Sequence, residues 1–188
     1  YHQIQRLVAK GQAEKAGPGL YRLSDVETTE METIAMVATA APDAIVCLLS
    51  ALRIHEIGTQ SPHQVWLAID RKARVPKRLP AKVRIVRFSG PMLTYGVVTQ
   101  SMQGVKVRLT NPARTVVDCF RYRNKIGLDV AMEALEWLEL QAMKKGGRKK
   151  DDAWIASRFE ARLRRVGEID EAKDTPAAYE AYLALAAD

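Results

Sequence analysis

Residues 1–25, YHQIQRLVAKGQAEKAGPGLYRLSD, contain the clearest pattern in the sequence. Ile4, Leu7 and Val8 have the i, i+3, i+4 spacing of one apolar helix face. Gly11 follows where a helix C-cap favours glycine, because glycine tolerates a positive φ angle. The pattern predicts a short amphipathic helix that ends at Gly11.

A small hairpin is predicted directly after this helix. Residues 12–16 and 20–23 are strand candidates, and the Gly-Pro-Gly sequence at 17–19 joins them as a tight turn. A helix followed by such a hairpin is typical of the second half of a winged helix, a DNA-binding module. We expect its first helices to precede Tyr1. The alternative is a helix and hairpin that only decorate a larger domain.

The opposite face of the predicted helix is polar and basic. Side chains of these types hydrogen-bond base edges and phosphate oxygens when a helix lies in the major groove. The residues on this face are Tyr1, His2, Gln3, Gln5, Arg6 and Lys10. The pattern therefore indicates a DNA-binding regulator.

The composition is typical of a soluble globular protein. The chain has 188 residues, 47% of them hydrophobic and 27% charged, which suits one ordinary domain plus a small module. No apolar run reaches the length of a transmembrane helix, and no secretory signal opens the chain. Cys47 and Cys119 both lie in apolar patterns, so we expect two core residues in a reducing cytoplasm and no disulfide.

The net charge of +7 is concentrated in two places. Residues 71–87, here called the basic segment, contain eight cations and no acid: Arg71, Lys72, Arg74, Lys77, Arg78, Lys82, Arg84 and Arg87. A second run is Lys144, Lys145, Arg148, Lys149 and Lys150. Such runs suit nucleic acid or an acidic partner. The alternative is a solvated basic loop with no particular partner.

The middle of the chain alternates helix and strand signals. Thr29 and Glu32 form a capping box at the start of one helix. Pro42 and Asp43 break the chain before a second helix, whose apolar residues are Ile45, Leu48, Leu49 and Leu52. Strand candidates are residues 65–69, 83–88, 95–102 and 105–109, with a hairpin turn at Gln103 and Gly104.

The remaining elements are helical. Asn111 and Pro112 are an N-cap and first-turn pair, and a longer helix follows with Val130, Ala134, Leu135 and Leu138 on one face. Further helices start at Asp151 or Asp152 and at Thr175. The sequence predicts a partial winged helix over residues 1–26. It predicts an α/β domain over 27–188, with a sheet of about four strands flanked by helices and a helical C-terminal arm.

The residue types and their order match one enzyme motif. Pro42-Asp43 followed by Asp70-Arg71-Lys72 matches the PD…(D/E)xK pattern of metal-dependent nucleases, in which two carboxylates hold Mg²⁺. Asp43, however, stands at the start of a predicted helix, where it is a natural cap. We therefore expect no catalytic residues and no enzyme.

No other catalytic or metal-binding pattern stands out. His55 and His63 do not form metal-ligand spacing with Cys47, so we expect no metal and no cofactor. The sequence contains no P-loop and no nucleophile elbow. Asp118 and Arg121 stand at i, i+3 on one helix and are interpreted as a simple pair.

Four blocks of the sequence resemble the AbiEi-like family, the antitoxins of bacterial abortive-infection toxin–antitoxin systems. The blocks are LVAKGQAEKAGPGLYRL, LLSALRIHEIGTQSPHQVWLAIDRKAR, RIVRFSG and NPARTVVDCFRYRNKIGLDVAMEALE, between Leu7 and about Glu139. The resemblance implies a winged helix that binds and represses the operon's own promoter. It also implies an α/β domain that counteracts a co-encoded, nucleotidyltransferase-like toxin. Pro18 replaces the basic residue usual at this family's wing tip.

The resemblance also implies site residues. The DNA-binding residues carried over from the family are His2, Gln3, Arg6, Lys10, Lys15 and Arg22. The antitoxic function is expected on a surface formed by Arg71, Lys72, Arg74, Lys77, Arg78, Arg84, Arg87, Arg121, Tyr122 and Arg123. The alternative for the last three is a core helix whose arginines fix neighbouring loops.

Three functional hypotheses follow from the sequence. The first is a non-enzymatic cytoplasmic antitoxin that represses its own operon, with promoter DNA and the toxin as partners and no membrane partner. The second is a stand-alone winged-helix transcriptional regulator. The third is a Mg²⁺-dependent nuclease.

Overall fold

The computed structural model describes residues 2–17, 19–24 and 28–146, so the helices predicted after residues 151 and 175 lie outside the described residues. The helices are α1 (His2–Ala9), α2 (Glu30–Ala40), α3 (Leu48–Ile54), α4 (Pro112–Arg121), α5 (Arg123–Ile126) and α6 (Leu128–Gly146). The strands are β1 (Ala13–Gly17), β2 (Leu20–Leu23), β3 (Ile45–Val46), β4 (Val65–Asp70), β5 (Val83–Phe88), β6 (Val97–Met102) and β7 (Val105–Thr110).

The predicted N-terminal helix and hairpin are confirmed. The N–H groups of Gly11 and Gln12 donate to the carbonyls of Val8 and Leu7 at 3.0 and 2.9 Å, the pair of bonds that closes a Schellman motif. Gly11 has a φ of 68°, which this cap requires. β1 and β2 then form a two-stranded antiparallel sheet of their own.

The α/β fold class is confirmed, with a five-stranded main sheet in place of the expected four strands. The strand order is β5-β4-β3-β7-β6. β4 and β5 are parallel, as are β3 and β7, whereas β3 with β4 and β6 with β7 are antiparallel. The sheet is therefore mixed, and β5 and β6 are its edges.

Both faces of the sheet are covered by helices. Along β4, Val65, Leu67 and Ile69 pack on one face in the cluster that contains α2. Trp66 and Ala68 pack on the other face, with residues of α3, α4 and α6. This is the period-2 alternation of a strand that is buried on both sides. Full burial of each large apolar side chain contributes roughly 1.5–3 kcal/mol.

The prediction that Ile45 begins a helix was wrong. Ile45 and Val46 form β3 at the centre of the sheet, and α3 begins only at Leu48. The spacing of Ile45, Leu48 and Leu52 fits a helix, but residues 44–48 are a continuous buried run, which periodicity alone cannot assign. Asp43 therefore lies in an exposed turn before a strand and does not cap a helix.

The predicted helix caps are confirmed. The Thr29 hydroxyl accepts a bond from the Glu32 N–H, and the Glu32 carboxylate accepts one from the Thr29 N–H. The Asn111 side chain accepts a bond from the N–H of Arg114 at 2.9 Å, with Pro112 in the first turn. These bonds satisfy amide groups that a helix start leaves without partners.

Candidate nucleic-acid interface and partner surface

All residues of α1 are exposed, and the helix has two distinct faces. Ile4, Leu7 and Val8 are each 38% exposed on the apolar side. The expected DNA-binding residues lie three or four positions apart on the polar side: His2 or Gln3, then Arg6, then Lys10. Their spacing places them on one helix face, accessible to a partner.

The β1–β2 hairpin is here called the wing after its expected role, and its two expected contacts, Lys15 and Arg22, differ in how far their charge is compensated. Glu14 and Arg22 are cross-strand partners, and the Arg22 guanidinium donates to the Glu14 carboxylate. Lys15 lies opposite Tyr21, is exposed, and forms no ion pair within the described part of the chain. Lys15 therefore offers a full positive charge to a phosphate, whereas much of the Arg22 charge is neutralised.

The fold brings the wing next to the basic segment. Lys15 and Arg22 line a cavity of about 410 Å³ together with Pro80 and Ala81 of the basic segment. More than fifty residues of sequence separate the two groups, and no local pattern predicts their contact. The wing and the basic segment are thus neighbours, and the acid Glu14 lines the same cavity.

The side chains of the basic segment are exposed, but they are not equivalent. Nη1 of Arg87 donates to the carbonyls of Asp70, Arg71 and Ala73 at 2.9, 3.4 and 2.6 Å. The Arg84 guanidinium lies 4.9 Å from the centre of the Trp66 ring, which is cation–π distance. Arg87 and Arg84 therefore stabilise the domain itself.

The other exposed cations expected on the antitoxin surface are Arg71, Lys72, Arg74, Lys77 and Arg78. None of them forms an ion pair with an acid among residues 2–17, 19–24 and 28–146. The carbonyl bonds of Arg87 hold the first turn of the loop that carries them. Together with Lys82, which is also exposed and forms no ion pair in these ranges, these five cations are the part of the basic segment that is open to a partner.

Arg121, Tyr122 and Arg123 are half-buried at the end of α4. The Tyr122 hydroxyl donates to the Arg87 carbonyl at 3.1 Å, and Nη1 of Arg123 donates to the Phe120 carbonyl at 2.8 Å. These contacts are those expected of a core helix whose side chains fix neighbouring loops. The Tyr122 bond connects the end of α4 to β5, the strand whose Arg87 binds the carbonyls at the start of the basic segment.

A buried ion pair lies beneath this helix end. Arg114 and Asp118 are both fully buried, and Nε of Arg114 donates to Oδ2 of Asp118 at 2.9 Å. The expected pairing of Asp118 with Arg121 was wrong. Nε and Nη2 of Arg121 are buried and form no hydrogen bond within the described residues. Arg114 lies four residues before Asp118, about one helical turn away, and this spacing lets the two side chains meet.

Arg114 also anchors the connection between β5 and β6. Its two terminal nitrogens donate to the carbonyls of Tyr95 and Met92, the latter at 3.2 Å. Its guanidinium lies 5.1 Å from the Phe88 ring centre. A Cβ atom at Gly96 would lie 2.7 Å from Cβ of Arg114, so only glycine fits there. The burial of this arginine could not be predicted from the sequence, because a basic residue is usually exposed.

Burial controls the ionisation of this region. Loss of solvent raises the pKa of Asp118 from 3.8 to about 6, and Arg114 and Arg121 oppose the shift. Burial, together with the Asp118 charge, raises the pKa of the Cys47 and Cys119 thiols well above their usual range. Burial raises the pKa of Tyr122 to about 12. Both cysteines are free buried residues, as expected, and their thiols are protonated at neutral pH.

A cleft of about 470 Å³ lies before the start of β3, where the neighbouring strand β4 extends beyond the two residues of β3. Asp43 and Asp70 both line it, and continuation of the β3–β4 register would place them directly opposite each other. Arg74 and Arg108 line the same cleft. The Asp70 carboxylate accepts a bond from the Lys72 N–H at 2.6 Å. The cleft therefore combines two acids with two guanidinium groups.

The described residues contain no group of three His, Cys, Asp or Glu side chains placed to hold a metal ion. His55 ends α3, with Nε2 2.7 Å from the Thr110 carbonyl, and burial lowers its pKa. The neutral imidazole can donate this bond. His63 lies in an exposed loop.

No protein-family model matches this chain, and no curated protein matches its sequence. Among the described helices, none combines the length and the apolar character needed to cross a bilayer.

Proposed function

We propose that this protein is the antitoxin of a bacterial toxin–antitoxin pair and represses its own operon by binding promoter DNA. One observation carries the proposal: α1 and the wing present exposed polar and basic side chains, and the wing adjoins the basic segment. The resemblance in sequence supplies the class of system. The protein acts by binding and carries out no catalysis.

DNA binding is assigned to α1 and the wing. His2, Gln3 and Arg6 have the donors and acceptors that distinguish base edges in the major groove. Lys10 and Lys15 are suited to phosphate contacts, which position the helix without reading sequence. Arg22 contributes less, because Glu14 already binds its guanidinium.

Counteraction of the nucleotidyltransferase-like toxin is assigned to the α/β domain. The open cations of the basic segment form the contact surface, and Arg87 and Tyr122 hold it in place. A stand-alone regulator with the same DNA-binding module would have no toxin to counteract. A neighbouring reading frame for such a toxin, whose lethality this chain relieves, separates these two hypotheses.

The DNA-binding claim is tested by anisotropy titration of promoter and scrambled duplexes over a range of salt concentrations. Lys15→Ala should flatten the slope of log K against log salt by about 0.9, the contribution of one phosphate contact. Arg22→Ala should change the slope less. Gln3→Ala or Arg6→Ala should cost on the order of 1–3 kcal/mol on the promoter and much less on scrambled DNA. Equal affinity of the intact protein for both duplexes would refute repression.

The division of labour is tested by co-expression with the toxin. Charge reversal at Arg71, Lys72 and Arg74 should abolish rescue of growth, because it replaces three of the open cations of the α/β domain with acids. Gln3→Ala with Arg6→Ala should leave rescue intact when both proteins are expressed from an unrelated promoter. The opposite pattern would assign neutralisation to the N-terminal module.

The second candidate function is Mg²⁺-dependent cleavage of nucleic acid. It is favoured by Asp43 and Asp70 lining one cleft, with Lys72 two residues further on. Arg74 and Arg108 in the same cleft oppose it, because their charges repel a metal ion. The binding function therefore remains our proposal.

A further inference from the structure

Strand β6 is an edge of the main sheet and contains no charged residue. Its sequence is VVTQSM, and residues 98–101 are exposed. Proteins normally protect such edges with charges, proline or bulges, because an open strand pairs readily with another chain. β6 pairs with β7 over all six of its residues without a bulge. Within the described residues, it has none of these protections.

The turn that follows β6 determines which N–H and carbonyl groups of β6 form hydrogen bonds with β7. Gln103 and Gly104 have φ angles of 50° and 76°, and two positive angles define a type I′ turn. The flanking residues, Met102 and Val105, then exchange both ladder hydrogen bonds. Hydrogen-bonded pairs alternate with non-bonded pairs along an antiparallel ladder.

The far end of the hairpin agrees with this alternation. The Asn111 N–H donates to the Gly96 carbonyl at 2.8 Å, so the bonded residues of this strand are the even-numbered ones. The N–H and carbonyl groups of Thr99 and Ser101 consequently point away from β7, toward the open edge. Within the described residues, nothing pairs with them.

The opposite edge of the sheet is protected. β5 carries exposed Arg84 and Arg87 and follows Lys82. Two copies of a chain with a net charge of +7 repel each other over most surfaces, and most strongly at the basic segment. β6 itself adds no charge to this repulsion, and the cations Lys106 and Arg108 lie one strand further in, opposite Ser101 and Thr99. This edge is therefore better suited than β5 to contact between identical chains.

We propose that two copies of this chain pair antiparallel through β6, with the two-fold axis at Gln100. In this register Thr99 exchanges both backbone bonds with the partner's Ser101, and symmetry repeats the pair, giving four hydrogen bonds. Val98, which is 41% exposed, lies opposite the partner's Met102 on the α2 side of the sheet. The two five-stranded sheets become one sheet of ten strands, an isologous interface of the commonest kind.

Sedimentation of the full chain over a concentration series tests the pairing. The mass should rise from 21.0 kDa toward twice that value. Thr99→Lys with Ser101→Lys should weaken association at least tenfold, because the new charges face each other across the two-fold axis. Gln5→Lys with Gln12→Lys adds the same charge on exposed residues away from the sheet and should leave association close to that of the unmodified chain. A mass of 21.0 kDa at all concentrations would overturn the proposal.

Hydrogen exchange of the unmodified chain gives a second test that does not depend on the folding of a variant. Protection of the Thr99 and Ser101 amides should increase with protein concentration. Protection that does not change with concentration would overturn the proposal, because it would be high if the chain covers its own edge and low if the edge stays open. Both experiments are done without DNA or toxin, so their failure would leave the proposed function untouched.

Discussion

At the scale of single residues, arginine has several different roles in this chain. Arg114 is fully buried against Asp118, Arg87 binds backbone carbonyls, Arg84 stacks on Trp66, and Arg22 pairs with Glu14. Arg53 is also exposed, and it pairs with Glu30, so the exposed arginines differ in how far their guanidinium groups are already bound. A count of cations therefore overstates the charge available for binding.

Asp118 should make stability depend on pH. Because its pKa is raised from 3.8 to about 6, the folded protein binds this proton more tightly than the unfolded chain does between pH 4 and 6. The contribution of Asp118 to the free energy of unfolding therefore falls as pH rises through this window. Relative to Asp118→Asn, the unmodified protein should gain roughly 1–3 kcal/mol between pH 7 and pH 4.

Urea denaturation at several pH values measures this difference. Asp43→Asn, at an exposed aspartate, is the matched control and should follow the unmodified protein. Parallel curves for the unmodified protein and Asp118→Asn would show that Asp118 does not titrate in this range.

Among the secondary-structure elements, most helices and strands were predictable from the sequence, but the central strand β3 was assigned to a helix. Capping residues and alternating patterns are local, so the starts of α2 and α4 and the strand β5 were predictable. β3 was not, because its two residues are defined by pairing with β4 and β7. The same holds for the cavity between the wing and the basic segment, which depends on contacts distant in sequence.

Gly96→Ala should destabilise the connection between β5 and β6. Gly96 has a φ of 65°, and a Cβ there would meet Cβ of Arg114 at 2.7 Å. Backbone strain and overpacking together should cost on the order of 2–4 kcal/mol. Gly104→Ala is the matched control, since Gly104 has a φ of 76° but no atom within 4 Å of the added Cβ. Thermal unfolding should show a smaller loss for the control; equal losses would exclude the contact with Arg114 as the cause.

In the molecule as a whole, contacts distant in sequence surround the basic segment. The wing lines one cavity with Pro80 and Ala81, and Tyr122 at the end of α4 donates to the Arg87 carbonyl, whereas α2 and α4 pack on opposite faces of the sheet. The six DNA-binding residues and the ten antitoxin-surface residues expected from the sequence remain predictions. Their placement nevertheless separates exposed cations from those that stabilise the fold.

The protein should not cleave nucleic acid. Asp43 and Asp70 share the cleft with two guanidinium groups, and Asp70 already accepts a backbone hydrogen bond. Incubation with DNA or RNA in Mg²⁺ or Mn²⁺ should give no products. Cleavage that disappears in both Asp70→Ala and Lys72→Ala would instead identify a nuclease.

The carbonyl bonds of Arg87 also determine where a protease can cut. Trypsin-like enzymes need an extended stretch of chain after a basic residue, and Arg87 holds the chain from Asp70 to Ala73 in place. Lys77 and Arg78 lie beyond this restraint, so the first nick should fall there. β4 and β5, on either side of the nick, stay paired over six residues. The nicked chain should therefore migrate as one species under native conditions and as two fragments on a denaturing gel.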